Sequence, residues 1–169
     1  MSVVVPGFTD SHVHFPTWAI AQSEVKLDGC ASLVETLERV RGAAVGPSGW
    51  LRGYGWRSAD WGDGREPTRG DLDALAIDAP IALIARDYHS LWLNPAALAL
   101  AGGDLEVAGG VVERDSGGEP TGVLREEAAW RFKARHMTVP DDVYVEAMYA
   151  GIKLANARGV TSVHDKDGW

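Results

Sequence analysis

Apolar residues recur along the chain in two periods, which predicts that strands and helices alternate. Alternating or continuous apolar runs predict strands, and apolar stripes at intervals of three and four residues predict helices. The predicted strands cover residues 3–15, 50–56, 81–85, 111–114, 121–124 and 160–165. The predicted helices cover residues 33–44, 68–76, 95–101, 126–135 and 141–158, while residues 19–31 are predicted to be irregular. This order is typical of an α/β fold with an antiparallel hairpin inside it.

Local signals support the starts of several helices. Ser32 with Glu35, and Thr68 with Asp71, have the spacing of a capping box. Asn94 stands directly before a proline, so its side chain is predicted to cap the helix that follows. These helix starts are therefore predicted from capping contacts between residues that are close in sequence.

Composition narrows the class of protein. Of the 169 residues, 46% are hydrophobic and 24% are charged, as in an ordinary globular protein, and the formal net charge is −8. No basic cluster offers a phosphate-binding face, so nucleic acid is not an expected partner. No apolar run has the length of a membrane span and no signal peptide is recognisable, so a cytoplasmic location without membrane association is expected. Cys30 is the single cysteine, which is predicted to be a small buried residue.

The first candidate site consists of two histidines near the start of the chain. His12 and His14 lie two residues apart, so on a strand both side chains point to the same face. Two neighbouring imidazoles are able to bind a divalent metal, of which zinc is the expected one. Asp10 lies on the same face of the strand, where it would add a carboxylate or orient an imidazole. The alternative is that both histidines are ordinary polar residues at a strand end.

A second candidate region joins a strand to a helix. Residues 86–94, RDYHSLWLN, are polar and aromatic, and such junctions tend to hold ligand contacts in α/β folds. Trp61 lies in a polar, glycine-rich loop, and the sequence leaves open whether it fills the core or lines a pocket.

Residues 6–15, PGFTDSHVHF, resemble the first barrel strand of the amidohydrolase superfamily, and other segments in order resemble its YtcJ-like group, which includes N-substituted formamide deformylases. Those segments are residues 50–56, 67–73, 87–94, 118–126 and 159–165. The resemblance implies a partial (β/α)₈ metallo-dependent hydrolase barrel, with its first two strands and an inserted α+β subdomain. It implies three divisions of the chain. Residues 1–19 hold the first barrel strand, residues 20–137 form the inserted subdomain, and residues 138–169 hold a barrel helix and the second barrel strand.

The resemblance also implies roles for individual residues. His12 and His14 would be metal ligands, and Asp87, Tyr88 and His89 would contact substrate, with a capped strand end as the alternative for these three. Trp92 is a further pocket candidate because it lies beside His89. His164, Asp165 and Glu126 are additional candidates, because His164 would approach the first two histidines if the two barrel strands are neighbours. No catalytic residue is identified, since nothing in the chain matches the group's aspartate general base. Lys166 is expected to be solvated rather than to bridge metals.

Two functions remain open. The first is the N-terminal part of a metal-dependent amidohydrolase, which uses a metal-activated water to hydrolyse a non-peptide C–N bond of a small-molecule amide or N-formyl substrate. A complete barrel takes about 250 residues, so a fragment with an incomplete site is expected. The second is a non-catalytic α/β module that binds a partner or forms a homo-oligomer through exposed strand edges.

Overall fold

The computed structural model describes residues 3–62 and 64–166, so residues 1–2, 63 and 167–169 of the predicted divisions lie outside the described part. The chain forms two compact units. The terminal unit contains residues 1–23 and 139–169, and the central unit contains residues 24–138. The predicted divisions had placed these boundaries at residues 19 and 137. No helix in the described residues is long and apolar enough to cross a membrane.

The described residues of the terminal unit form two strands and two helices. Its elements are β1 (Phe8–Val13), α1 (Phe15–Ala21), α6 (Asp141–Ala157) and β8 (Val160–Asp165). Strands β1 and β8 pair in parallel, and helices α1 and α6 pack together. Gly151 makes that packing close, because a Cβ atom there would lie 2.7 Å from the Cβ atom of Ala19.

The central unit is built on a mixed sheet. Its strands are β2 (Val25–Lys26), β3 (Leu51–Trp56), β4 (Ile81–Ala85), β5 (Ser90–Leu93), β6 (Gly110–Arg114) and β7 (Pro120–Glu126). The helices are α2 (Leu33–Arg41), α3 (Arg69–Asp73), α4 (Pro95–Leu100) and α5 (Glu127–His136), with a 3₁₀ turn at Ser58–Asp60. The strand order is β2-β3-β4-β5-β7-β6, parallel from β2 to β4 and antiparallel beyond β4.

Helices cover both faces of this sheet. Along β5, Trp92 packs into one core cluster with Leu33 of α2, while Leu91 packs into a second cluster with Phe132 of α5. This division follows from the alternation of side chains along a strand. The prediction that residues 81–85 form a strand covered on both faces is confirmed, since four of the five are buried. Cys30 is also buried, as expected.

The structure corrects three predicted elements. Residues 3–7 are not part of the first strand, and residues 15–21 form α1 because Pro16 occupies the first turn of a helix, where proline is tolerated. Residues 90–93 form β5, which pairs antiparallel with β4 after a tight turn, so the segment 86–94 contains a strand. The helix predicted to reach Ala44 ends at Arg41, with Gly42 as its cap.

Candidate functional site

The two histidines of the first strand lie side by side. His12 is on β1 and His14 is the N-cap residue of α1, and their ring centroids are 5.8 Å apart with the planes at 69°. A zinc ion lies about 2.1 Å from an imidazole nitrogen, so two rings on one tetrahedral ion have centroids about 5.3 Å apart. The observed separation is close to this value, so the two side chains are candidates for a pair of ligands to one divalent metal. Both residues are exposed.

The carboxylate of Asp10 makes a hydrogen bond to the backbone of the first histidine. Its Oδ1 atom accepts a hydrogen bond from the backbone N–H of His12 at 3.0 Å. The register of β1 against β8 shifts between Asp10 and Val13, so the strict alternation of faces fails there. The carboxylate of Asp10 thus stabilises the backbone at the first histidine.

The second strand of the terminal unit contributes a positioning contact. Asp165 pairs with Val13 across the two strands, and its Oδ1 atom accepts a hydrogen bond from the backbone N–H of Phe15 at 2.9 Å. This contact satisfies one of the free N–H groups at the start of α1, next to His14. Across residues 3–62 and 64–166, no three His, Cys, Asp or Glu side chains are grouped to hold a metal, so the predicted three-histidine site with His164 is not formed.

The β4–β5 turn is held in a strained conformation. Tyr88 has a φ angle of +64°, which costs free energy for a residue with a bulky side chain. The turn is closed by the Tyr88 N–H, which donates to the carbonyl of Ala85 at 3.0 Å, and by the His89 N–H, which donates to Oδ1 of Asp87 at 2.9 Å. This arrangement exposes Asp87, Tyr88 and His89 together at one end of the central sheet.

Glu126 joins this turn from a distant part of the sequence. Its Oε2 atom lies 2.8 Å from Nδ1 of His89, and its backbone N–H donates to the carbonyl of His89 at 2.8 Å. Glu126 also has a positive φ of +54° at the junction of β7 and α5. The hydrogen bond and the negative charge of Glu126 raise the pKa of His89 above its usual value. The pair thus forms a polar site with a protonatable imidazole.

Helix α5 adds two residues that were not predicted. The ring of Trp130 lies 5.2 Å from that of His89, and the indole N–H of Trp130 donates to the carbonyl of Tyr88 at 3.4 Å. Lys133 donates to the same carbonyl at 3.4 Å, and burial lowers the pKa of its ammonium group although Asp87 opposes that shift. Their three-residue spacing places them on one helix face, which was the only sequence signal for this contact.

Trp92 and Trp61 belong to the core. Trp92 is 0% exposed, and its indole N–H donates to the carbonyl of Thr68 at 2.9 Å. This placement corrects the prediction that Trp92 contacts substrate, because a fully buried ring has no face left for a ligand. Trp61 packs with Trp92 and Trp56 at centroid distances of 6.3 and 6.2 Å, which resolves its role in favour of the core.

Comparison with known proteins relates this chain to metal-dependent hydrolases. It is 32% identical to the putative amidohydrolase YtcJ of Bacillus subtilis over 98% of this chain and 32% of that protein. It is 38% identical to the N-substituted formamide deformylase of Arthrobacter pascens over 75% of this chain and 24% of that enzyme. The structure of an uncharacterized metal-dependent hydrolase from Pyrococcus furiosus matches with a TM-score of 0.69 and 30% identity, over 94% of this chain and 31% of that one.

The chain thus spans about a third or less of the length of these relatives. The sequence model of the Amidohydrolase family matches residues 2–169, and this match shows that the chain belongs to that family.

Proposed function

We propose that this chain contributes the first metal-binding strand of a metal-dependent hydrolase that acts on C–N bonds other than peptide bonds. The observation that carries the proposal is the adjacency of the His12 and His14 rings at the end of β1. The name of the Arthrobacter pascens relative, an N-substituted formamide deformylase, supports amides of the N-formyl type as substrates. Zinc is the proposed metal because imidazole nitrogen suits it.

The proposed architecture is the beginning of a (β/α)₈ barrel, with residues 24–138 as an inserted α+β unit. Strand β8 follows helix α6 directly and pairs in parallel with β1, as consecutive strands of such a barrel do. Nearly all residues of both strands are exposed, which is expected when further strands and helices would cover them. The parallel pairing of β1 with β8 is the observation that supports this proposal.

We propose separate roles for the residues of the two units. A bound divalent metal polarises a carbonyl group and lowers the pKa of water. His12 and His14 would hold it, and Asp165 would fix the start of α1 beside the second histidine. In the central unit we propose that Asp87, Tyr88 and His89 contact substrate, because backbone strain and a perturbed imidazole pKa tend to occur at functional sites.

Metal titration tests the proposal. The full chain is freed of metal with a chelator and titrated with zinc chloride, and bound metal is quantified by mass spectrometry after gel filtration. We expect one equivalent to bind, and to be lost in both the His12→Ala and His14→Ala variants. His136→Ala is the matched control, because it removes a histidine from α5 in the central unit and is expected to keep the metal. Retention of the metal by both test variants would refute the proposed site.

Hydrolysis is measured in parallel with an N-substituted formamide, by the release of formate. In the full native gene product, we expect release that depends on zinc and on His12. In the 169-residue chain alone we expect no turnover, because its described residues supply only two grouped ligands. Turnover by the chain alone that His12→Ala abolishes would contradict the proposal that its site is incomplete.

A second candidate function, a module that self-associates, is favoured by exposed apolar residues in the terminal unit. Val4 is 97% exposed and Phe8 is 69% exposed, and each strand of the two-stranded sheet has an unpaired edge among the described residues. Exposed edges and apolar patches promote association between chains.

Light scattering after gel filtration, over a range of protein concentrations, tests this second function. We expect a dimer that Phe8→Ser weakens, whereas Val34→Ser, which removes an exposed valine from α2, leaves it unchanged. A monomer at every concentration would exclude self-association.

A further inference from the structure

A pocket of about 350 Å³ opens in the central unit beyond the ends of β3 and β4. The last residues of these parallel strands pair with each other, and the Arg86 N–H donates to the carbonyl of Trp56 at 3.0 Å. Arg57 and Arg86 therefore occupy the same position, one residue beyond neighbouring strands, and both line the pocket. The carboxyl edge of parallel strands is where α/β sheets commonly bind ligands.

A third arginine forms a fixed wall of the pocket. The guanidinium group of Arg125 donates to Oε1 of Glu113 at 2.8 Å, to Oγ of Ser90 at 3.1 Å and to Oε2 of Glu66 at 3.1 Å. Two carboxylates thus balance its single charge, and its three nitrogen atoms are all engaged. Arg125 shapes the pocket and is not a free anchor for an anion.

Arg57 and Arg86 are differently placed, because they share one carboxylate. Each donates from Nη1 to a different oxygen of Asp60 at 3.3 Å, which is longer than the 2.7–2.9 Å or so of a strong charge-assisted hydrogen bond. Their side chains are 57% and 55% exposed. The two guanidinium groups therefore keep unused donors, since Asp60 accepts one hydrogen bond from each of them.

The other charged groups near the pocket limit what it can bind. Asp87 lines the pocket as well. Its Oδ1 atom accepts a hydrogen bond from the backbone N–H of His89, and its negative charge opposes the lowering of the Lys133 pKa by burial. Together with Asp60, Glu66 and Glu113, it makes the surroundings unfavourable for a dianion. Trp56, Ala59 and Ala85 supply an apolar part of the lining.

We propose that this pocket binds the carboxylate of a small organic acid, with Arg57 and Arg86 as the paired donors and the apolar lining against the rest of the ligand. A guanidinium group presents its N–H donors in a planar fork that matches the two oxygen atoms of a carboxylate. The carboxylate would accept hydrogen bonds from the donors that Arg57 and Arg86 do not give to Asp60. The proposal is independent of the proposed metal site, since it uses no histidine and no metal.

The test uses the metal-free full chain and sodium benzoate, with arginine Nε–H signals followed by nuclear magnetic resonance. We expect saturable shifts, and about tenfold weaker binding in Arg57→Gln and in Arg86→Gln, because each loses charge-assisted hydrogen bonds at a half-exposed site. Arg114→Gln is the matched control, since it makes the same charge change at a guanidinium group bound to Glu106 and the Gly118 carbonyl. Asp60→Asn removes the competing carboxylate and is expected to tighten binding.

Two further probes check the ligand class. Benzamide has the shape of benzoate without its charge and is expected not to bind, and inorganic phosphate is expected to bind more weakly than benzoate. The proposal is overturned if benzamide or phosphate binds as well as benzoate, or if Arg114→Gln weakens binding as much as Arg86→Gln. It is also overturned if Asp60→Asn, with an unchanged tryptophan spectrum, fails to tighten binding. None of these results bears on metal retention by His12 and His14, so the two proposals can fail separately.

Discussion

Asn94 closes the base of the β4–β5 hairpin, and its replacement by alanine is expected to destabilise the central unit by about 4 kcal/mol. Its Oδ1 atom accepts from the N–H groups of Ile81 and Ala97, both at 2.9 Å, and its Nδ2 atom donates to the carbonyl of Ala79 at 2.9 Å. The residue is 3% exposed, so water does not replace these bonds readily. Each buried N–H or C=O group that loses its hydrogen-bond partner costs about 1–3 kcal/mol of folding free energy. The loss of the helix cap at the Ala97 N–H lies at the low end of that range.

The assay is urea denaturation followed by tryptophan fluorescence, because Trp56, Trp61 and Trp92 report on the core of the central unit. Ser32→Ala is the control, since Ser32 also caps a helix but accepts only one backbone N–H, at 3.1 Å from Glu35. We expect a loss of about 1 kcal/mol for that variant, with the same dependence on urea. If Asn94→Ala and Ser32→Ala destabilise the chain equally, the reasoning from buried unsatisfied groups is refuted.

Two further predictions concern the turn site and its supporting backbone. Glu126→Gln is expected to lower the pKa of His89 towards its usual value, whereas Glu127→Gln leaves it unchanged; imidazole shifts measured against pH would show this. Because the pKa of His89 is raised in the folded chain, the stabilisation from this pair is complete at acid pH and is lost as pH rises through the folded-state pKa. Gly122→Ala is expected to cost about 3 kcal/mol or more in urea unfolding, because φ is +102° and its Cβ atom would lie 2.6 Å from a carbonyl oxygen of β5. Gly118→Ala, with φ of +84° and open space around it, should cost only about 1–2 kcal/mol, and equal losses at both glycines would contradict the steric argument.

Elements with local signals were predicted well. The Thr68 N–H donates to Oδ2 of Asp71 at 2.7 Å, as the capping-box spacing indicates, and Asn94 caps α4. The strand predicted at residues 160–165 has those bounds in the structure. In each case a few neighbouring residues determine the backbone, so the sequence contains the necessary information.

Elements that depend on context were missed or misplaced. Proline is compatible both with a turn and with the first turn of a helix, and only the packing of α1 against α6 selects the helix at Pro16. Strand β5 was missed because its four residues lie in a polar and aromatic segment that was interpreted as a strand-to-helix junction, although they pair with both β4 and β7. Trp92 was predicted to line a pocket because it lies near His89 in sequence. In β5 its side chain points into the core instead.

The sequence indicated candidate residues in each of the two units, whereas the contact between His89 and Glu126 was not predicted. His12, His14, His89 and Glu126 were all candidates from the sequence. The hydrogen bond between His89 and Glu126 joins residues 37 positions apart, and no local pattern encodes it. The positive φ angles of Tyr88 and Glu126 are likewise imposed by the surrounding sheet, since neither residue type favours that conformation.

The most direct test of the central claim is to locate the metal itself. In a zinc-soaked crystal of the full chain, we predict an anomalous-scattering peak about 2.1 Å from a ring nitrogen of His12 and from one of His14. A strong peak at other residues, with none between these two rings, would contradict the account.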